Sequence, residues 1–285
     1  MYLQFTLCIS LLIGLFLFPT ASHLGAEQGV SIFFDTLLPY ILPYLLLTNW
    51  LFALLQRTTV SPRSAFIISY LTSAIGGYPV GAIATIALIR QQLVTKRQAA
   101  WLLPFLHSPN PFFVINYVGN DLLQNVKFSI VYLVLHHIIS IIAVVIIYRR
   151  TIPQHFTYTQ RPAIRPAIFE QTANTTLTIA ITIIFFSSLA YICIEAFLNA
   201  INTSITTVVI GALELTNGLQ FAAHYLQPEQ LPIYYAFLLT AQSISIHLQV
   251  STVIIGQVSI RPYFYIRFLL TVIFTLIFGL YYVIF

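Results

Sequence analysis

The sequence predicts an all-α membrane protein, a polytopic helical bundle with two inverted repeats and two re-entrant hairpins. Its composition indicates the membrane class, since 59% of the 285 residues are hydrophobic and 7% are charged, whereas soluble domains carry about 25% charged residues. The hairpins are predicted from helix breakers inside two apolar segments, at residues 73–82 and 211–218. Hydrocarbon has no water to satisfy free backbone groups, so such breaks are expected only where protein or a water-filled cavity surrounds them.

The two interrupted segments lie at a fixed spacing. Gly81 and Gly218 are 137 positions apart, and so are Gly119 and Gly256. Further identities at the same offset are Ala99 with Ala236, Leu102 with Leu239 and Ser108 with Ser245. Because each copy also has a broken run followed by an apolar run with a polar centre, the pattern favours an internal repeat over coincidence.

The chain divides at its single polar connector, which is rich in Arg and Pro. The predicted units are a first transmembrane helix with an outer loop (1–28), a first repeat (29–148), a cytoplasmic linker (149–174) and a second repeat (175–285). Residues 1–18 are apolar and carry no Lys or Arg, which favours a retained helix over a cleaved signal peptide. The segment 29–38 is too short to cross a bilayer and is expected at the interface.

The run at 64–89 allows two topologies. Its 26 residues fit either one tilted helix or two half-helices with a tip at 76–81, and length alone does not decide. We assign hairpins to 64–89 and 200–224 because of the basic residues. The other predicted spans are 39–56, 97–119, 126–148, 175–197, 231–256 and 263–285.

With these hairpins, eleven of the twelve Lys and Arg residues lie on one side of the membrane and only Lys127 lies on the other, as the positive-inside rule requires. The eleven are Arg57, Arg63, Arg90, Lys96, Arg97, Arg149, Arg150, Arg161, Arg165, Arg261 and Arg267. The charges entered this assignment, but one consequence did not depend on them. The two repeats enter the membrane from opposite sides, as in inverted-repeat transporters.

Four polar clusters fall near the centres of their apolar runs. They are residues 76–79, 107–110, Glu214 with Thr216 and Asn217, and 242–249. An ionisable group inside a membrane is costly, so Glu214 and His247 are expected to function, in coupling to H⁺ or Na⁺. The alternative is that these side chains hold helices together through hydrogen bonds.

The breaks themselves predict where a ligand would bind. Glycine lets a backbone approach a ligand closely, and the half-helix N-termini after Pro79 and Asn217 suit a carboxylate or another anion. A kink with no ligand is the alternative. The predicted substrate-binding residues are Gly76, Gly77, Tyr78, Pro79, Gly81, Ser108, Asn110, Thr216, Asn217, Gly218, Ser243, Ser245 and Gln249.

Other function classes fit the sequence less well. The mid-membrane set has one carboxylate, no paired acids and no metal-spaced histidines, so we predict no catalytic residue, metal site or cofactor. Cys8 and Cys193 lie in apolar runs and are expected to pack. Basic residues in short loops indicate topology rather than nucleic-acid binding. The expected partners are a small-molecule substrate and membrane lipid, and a homo-oligomer stays open.

Three motifs resemble a known family. Gly-Gly-Tyr-Pro-Val-Gly-Ala at 76–82, Leu-Glu-Leu-Thr-Asn-Gly at 213–218 and Ser-Ile-His-Leu-Gln-Val at 245–250 are similar to motifs of the YlbJ-type sporulation integral membrane proteins, part of the nucleoside-recognition Gate domain group. The resemblance covers roughly 30–260. It implies a transporter in the bacterial cytoplasmic membrane whose paired hairpins enclose a small metabolite, such as the aromatic dicarboxylate dipicolinate or a nucleoside.

The chain also departs from this family. It has Ala-Gln-Ser-Ile-Ser at 241–245 where a glycine pair is often found, and Ser-Pro-Asn-Pro at 108–111 where a Ser-Gly-Pro type sequence is more usual. The identity of the substrate is therefore open. A non-transporting membrane scaffold or morphogenesis factor, whose broken helices bind lipid or protein, is the second hypothesis.

Overall fold

The computed structural model describes residues 2–55, 61–151, 168–198 and 202–284, and these parts are helical with no strand. Among them, five helical segments are long and apolar enough to cross a membrane: Pro19–Leu54, Val126–Arg150, Ile168–Ala196, Leu231–Ile254 and Arg261–Tyr281. The predicted all-α class and its apolar spanning helices are confirmed. Arg57, Arg161, Arg165 and most of the predicted linker at 149–174 lie outside the described residues.

Thirteen α-helices and three π-helical segments are present in these parts. In the first half they are α1 (Tyr2–Leu17), α2 (Pro19–Ser31), π1 (Ile32–Leu37), α3 (Leu38–Leu55), α4 (Pro62–Gly76), α5 (Tyr78–Arg90), α6 (Lys96–Leu106), π2 (Phe113–Leu122) and α7 (Val126–Thr151). In the second half they are α8 (Ile168–Cys193), π3 (Ile194–Leu198), α9 (Thr203–Leu213), α10 (Leu215–Tyr225), α11 (Leu231–Ala241), α12 (Ile244–Ile254) and α13 (Arg261–Ile284).

The N-terminal region differs from the sequence prediction. The predictions of an outer loop before residue 29 and of an interfacial segment at 29–38 are wrong, because α2, π1 and α3 form one continuous helix. Small residues at Ala21, Gly25 and Gly29 recur every fourth position and are buried. They allow α2 to pack closely on α8, and this kind of backbone approach stabilises helix pairs in membranes. Tertiary packing thus makes a polar sequence helical.

Four of the predicted apolar runs are interrupted by non-helical residues. Gly77 separates α4 from α5, and Glu214 separates α9 from α10. The predicted spans 97–119 and 231–256 are also broken, by a non-helical stretch at 107–110 and by Gln242 and Ser243. Within the two pairs α4–α5 and α9–α10 the helices pack against each other. Gly218 and Gly211 mark the close approach of α9 and α10, since a Cβ on Gly218 would lie 2.9 Å from the Gly211 nitrogen.

Both halves contribute to one packed interior. The helix α5 contacts α6 and α12, and α13 contacts α6 and α11. The Tyr78 hydroxyl donates to the Leu239 carbonyl at 3.1 Å, which joins α5 to α11. Large apolar side chains remain exposed on the outer helices, including Phe16 on α1, Ile142 on α7 and Phe268 on α13. An apolar exterior of this kind is the surface that lipid covers.

The contact between α2 and α8 gives a direct test. A Cβ on Gly25 would lie 2.6 Å from the Ser187 carbonyl oxygen and 2.8 Å from the Ser188 Cα. We expect Gly25→Ala to destabilise the protein by about 1–3 kcal/mol, the usual cost of overpacking, and to lower the melting temperature of the detergent-purified protein.

Gly279→Ala is the matched control, because a Cβ there meets nothing within 4 Å. Its melting temperature should equal that of the wild type or rise slightly, since alanine favours a helix. Equal effects of the two substitutions would contradict the packing of α2 on α8.

Candidate functional site

A small buried cavity of about 70 Å³ lies where the interrupted helices meet. Residues at or within two positions of all four interruptions line it, together with apolar side chains of π1, α3 and α8. The lining consists of Leu37, Ile41, Leu45, Gly76, Gly77, Tyr78, Pro79, Asn110, Phe113, Ile179, Ile183, Glu214, Leu215, Thr216, Ser245, Ile246 and Gln249. A space of this size holds a few water molecules or a small ion, so a larger solute requires the walls to move.

Gly77 and Asn110 stabilise the first interruption. Gly77 has φ 86°, a backbone conformation that residues other than glycine rarely adopt. Asn110 lies against it and completes the broken backbone. Its Nδ2 donates to the Ile75 carbonyl at 2.9 Å, and its Oδ1 accepts from the Phe112 and Phe113 amides at 2.8 and 3.2 Å. One side chain therefore satisfies the end of α4 and the start of the next helical segment.

The second interruption carries a carboxyl group. Glu214 is 2% exposed, and its Oε2 accepts from the Asn217 amide at 2.7 Å, which caps α10. Within the described residues, no Lys, Arg or His nitrogen lies within 4 Å of a Glu214 carboxyl oxygen. The ion pair that these residues do form joins His23 to Glu27. A carboxyl group at a helix N-terminus is favoured by the helix dipole. Glu214 thus has a structural partner and also faces the cavity.

Two polar side chains of α12 complete the wall. Ser245 is within 2.9 Å of the Ser243 hydroxyl, and Gln249 donates from Nε2 to the Thr182 hydroxyl at 2.8 Å. Ser243 itself lies at the start of α12 and accepts from the Ile246 amide at 3.4 Å. The serines and the glutamine therefore connect α12 to its own break and to α8.

The predicted site residues fall into two groups. Those that line the cavity are Gly76, Gly77, Tyr78, Pro79, Asn110, Glu214, Thr216, Ser245 and Gln249. The others, which do not line it, are Gly81, Ser108, Asn217, Gly218, Ser243 and His247.

The second group supports the surrounding structure. A Cβ on Gly81 would lie 2.6 Å from the His107 Cα, so this glycine permits close packing of α5 on the break at 107–110. Asn217 donates to the Ser187 hydroxyl at 2.6 Å, and Ser108 donates to the Ser73 carbonyl at 3.4 Å. His247 contacts the Tyr263 hydroxyl at 3.1 Å and belongs to a different polar cluster.

Sequence reasoning missed the apolar walls and one basic residue. Leu37 was assigned to an interfacial segment, and nothing in the pattern separates Ile179 or Ile183 from lipid-facing neighbours. Arg267 was placed among the basic residues on one membrane face, but it is 2% exposed and lies inside the helix bundle. The sequence signal for its burial is that Arg267 falls inside the predicted span 263–285. The described residues contain no group of three or more His, Cys, Asp or Glu side chains arranged to hold a metal ion.

The role of Asn110 can be tested by stability. Asn110→Ala removes three hydrogen bonds to buried or partly buried backbone groups, and we expect a loss of about 1–3 kcal/mol because backbone groups without a partner inside the protein are costly. The melting temperature of the purified protein measures this. Asn120→Ala is the control, since Asn120 is exposed and donates only to Asp121 at 3.1 Å. A loss as small as the control's would show that the break is supported by other contacts.

Comparison with family models, with curated proteins and with solved structures finds no match to this chain. The geometry of the cavity and the chemistry of its lining residues therefore carry the functional proposal.

Proposed function

We propose that the protein is an integral membrane transporter of a small anionic metabolite, either dicarboxylate-like or nucleoside-like, bound between broken helices near the bilayer midplane. One observation carries the proposal: residues at or within two positions of four helix interruptions, two from each half of the chain, line the same cavity. Transporters build substrate sites from discontinuous helices in this way. The motif resemblance to the YlbJ-type Gate proteins supports the same function.

The internal repeat supports this proposal too. Gly77 and Glu214, the residues at which α4–α5 and α9–α10 are broken, are 137 positions apart, the same offset that relates Gly81 to Gly218. The helices α5 and α10 then start at equivalent positions, Tyr78 and Leu215. We interpret α4–α5 and α9–α10 as re-entrant hairpins of two inverted repeats, whose tips meet at the substrate.

The two tips differ in a way that fits an anion. Glu214 caps α10 with its own carboxyl group, whereas α5 begins at Gly77 with no side-chain cap. Tyr78 and Pro79, at the N-terminus of α5, line the cavity. A substrate carboxylate there would lie at the N-terminal end of α5, as the Glu214 carboxyl group does at α10, and the helix dipole would stabilise it.

Glu214 is the acidic side chain that lines the cavity, and in this proposal it couples transport to H⁺ or Na⁺. His247, the other predicted coupling residue, lies outside the lining. Movement of an ion onto Glu214 would weaken its cap on α10 and so change the stability of the second tip. Coupling would thus act through the end of one helix.

The first experiment is transport by the purified protein. A thermal-shift screen of dicarboxylates and nucleosides selects compounds, and labelled dipicolinate is the first probe for uptake into proteoliposomes under an H⁺ or Na⁺ gradient. We expect Glu214→Gln to abolish uptake or its dependence on the gradient, with near-normal expression. Glu229→Gln is the control, since Glu229 is exposed. Gradient-dependent uptake that is unchanged in Glu214→Gln would remove this residue from the mechanism.

The second experiment tests the hairpins. In a background with Cys8→Ser and Cys193→Ser, single cysteines replace Arg63 before α5, Lys96 after it, or Lys127. We expect an impermeant maleimide added to intact cells to label Lys127→Cys and to spare the other two, because a re-entrant hairpin returns to the side it left. Labelling of Arg63→Cys and Lys96→Cys from opposite sides would mean that this segment crosses outright.

The second hypothesis, a membrane scaffold, predicts a different result in the first experiment. Compounds would stabilise the protein without entering the liposomes, or no compound would act at all.

A further inference from the structure

A second polar cluster lies apart from the cavity, around Arg267 on α13. Arg267 is 2% exposed, and its Nη2 donates to the Pro104 carbonyl at 2.9 Å and to the His107 carbonyl. Its Nε and Nη1 are buried and make no hydrogen bond. Three of the five guanidinium N–H groups belong to these two nitrogens. Much of the donor capacity of this side chain is therefore unused.

The neighbours of Arg267 are also short of partners. Its guanidinium carbon lies 5.7 Å from the centre of the Tyr263 ring. The Tyr263 hydroxyl donates to Gln242 Oε1 at 2.7 Å, while Gln242 Nε2 has no partner. The His107 ring lies 5.6 Å from the Tyr263 ring, and both of its nitrogens are buried without a hydrogen bond. Unpaired buried polar groups of this number are unusual in a folded protein.

The charge of the cluster is unbalanced. A guanidinium group is always ionised in proteins, and the two carbonyls that it contacts are neutral. Within the described residues no carboxylate oxygen lies within 4 Å of Arg267. A buried charge without a counter-charge costs several kcal/mol, and such residues inside a membrane face one another or a functional site. The component that would complete the cluster is negatively charged.

The helices α6 and α13 run from the cluster to the protein surface. An open cleft at the start of these helices is lined by Lys96, Arg97, Trp101, Pro262 and residues 256–259. Pro104 is eight residues beyond Lys96, about 12 Å along the helix, and Arg267 is five beyond Pro262, about 7.5 Å. The apolar residues Leu103 and Tyr263 lie between. Basic side chains at the mouth of a cleft raise the local concentration of anions.

We propose that Arg267, Gln242 and His107 form a binding site for a small monovalent anion, of halide or formate size, that is separate from the cavity at Glu214. The free guanidinium nitrogens and the Gln242 amide nitrogen donate to the anion, and His107 donates from a ring N–H. The anion must be small because Arg267, His107 and Gln242 are 2%, 0% and 4% exposed. Binding here does not depend on transport, so the site stands or falls independently of the proposed function.

The test is the melting temperature of the full chain in neutral detergent, titrated with sodium chloride or sodium formate. Sodium HEPES keeps the ionic strength constant, since its anion is too large for a closely packed site. We expect a saturable rise of a few degrees in the wild type, because a ligand that binds only the folded state stabilises it. Arg267→Gln should lose the rise, and Glu214→Gln should keep it in full. A greater response to formate or to chloride shows which anion class the site prefers.

A second variant covers the case in which Arg267→Gln does not fold. Gln242→Glu places a carboxylate in the cluster at almost unchanged volume and supplies the missing charge from within the protein. We expect this variant to fold and to lose the anion-dependent rise, as if permanently occupied. The proposal is overturned if the wild type shows no saturable rise with either anion, or if Gln242→Glu retains the full rise.

Discussion

The structure depends on one constraint, which is that every backbone group freed by a helix break must find a partner inside the protein. Apolar surroundings offer no water, so an unpaired amide or carbonyl there costs several kcal/mol. Asn110 meets this requirement with three hydrogen bonds, one to the end of α4 and two to the start of the segment after 107–110, and Glu214 meets it at the α10 N-terminus with one. Interrupted helices are stable here because single polar side chains replace the missing backbone partners.

The two halves use similar breaks but different chemistry. At positions 137 residues apart, Gly77 contributes only backbone and Glu214 contributes a carboxyl group. Arg267 also has no counterpart, since the residue 137 positions before it is Ile130. Tyr78 lies between the cavity and the Arg267 cluster, because it lines the former and its ring is 5.2 Å from the His107 ring. Tyr78 is therefore a side chain that borders both sites.

Local signals in the sequence predicted two of the four breaks. Adjacent glycines before Pro79 disfavour a continuous helix, and Glu214 is an ionisable residue in an apolar run, so both positions could be identified without a structure. The polar centres at 107–110 and 242–249 were also found. Breaks at these centres were not predicted, because Ser, Gln and His are tolerated in continuous membrane helices when neighbours accept their hydrogen bonds.

The features that were missed depend on contacts between distant segments. The polar sequence at 19–28 reads as a loop, whereas the structure has a helix there that packs closely through Gly25 on Ser187 and Ser188. Arg267 reads as a loop charge because positive-inside counting treats every Arg near a span end alike. Its burial depends on the carbonyls of Pro104 and His107, which are about 160 residues away in sequence. Periodicity and composition carry no information on such pairs.

The continuous helix from Pro19 to Leu54 limits how the cavity can enlarge. Its middle part forms one wall through Leu37, Ile41 and Leu45, while α2 is fixed on α8 by its glycines. Sliding the whole rod would unpack those glycines, so outward displacement of the wall requires flexure between the anchored end and α3. The π turn at Ile32–Leu37 lies there, and its i to i+5 hydrogen bonds are weaker than those of an α-helix. Displacement of this wall is thus tied to bending within Ile32–Leu37.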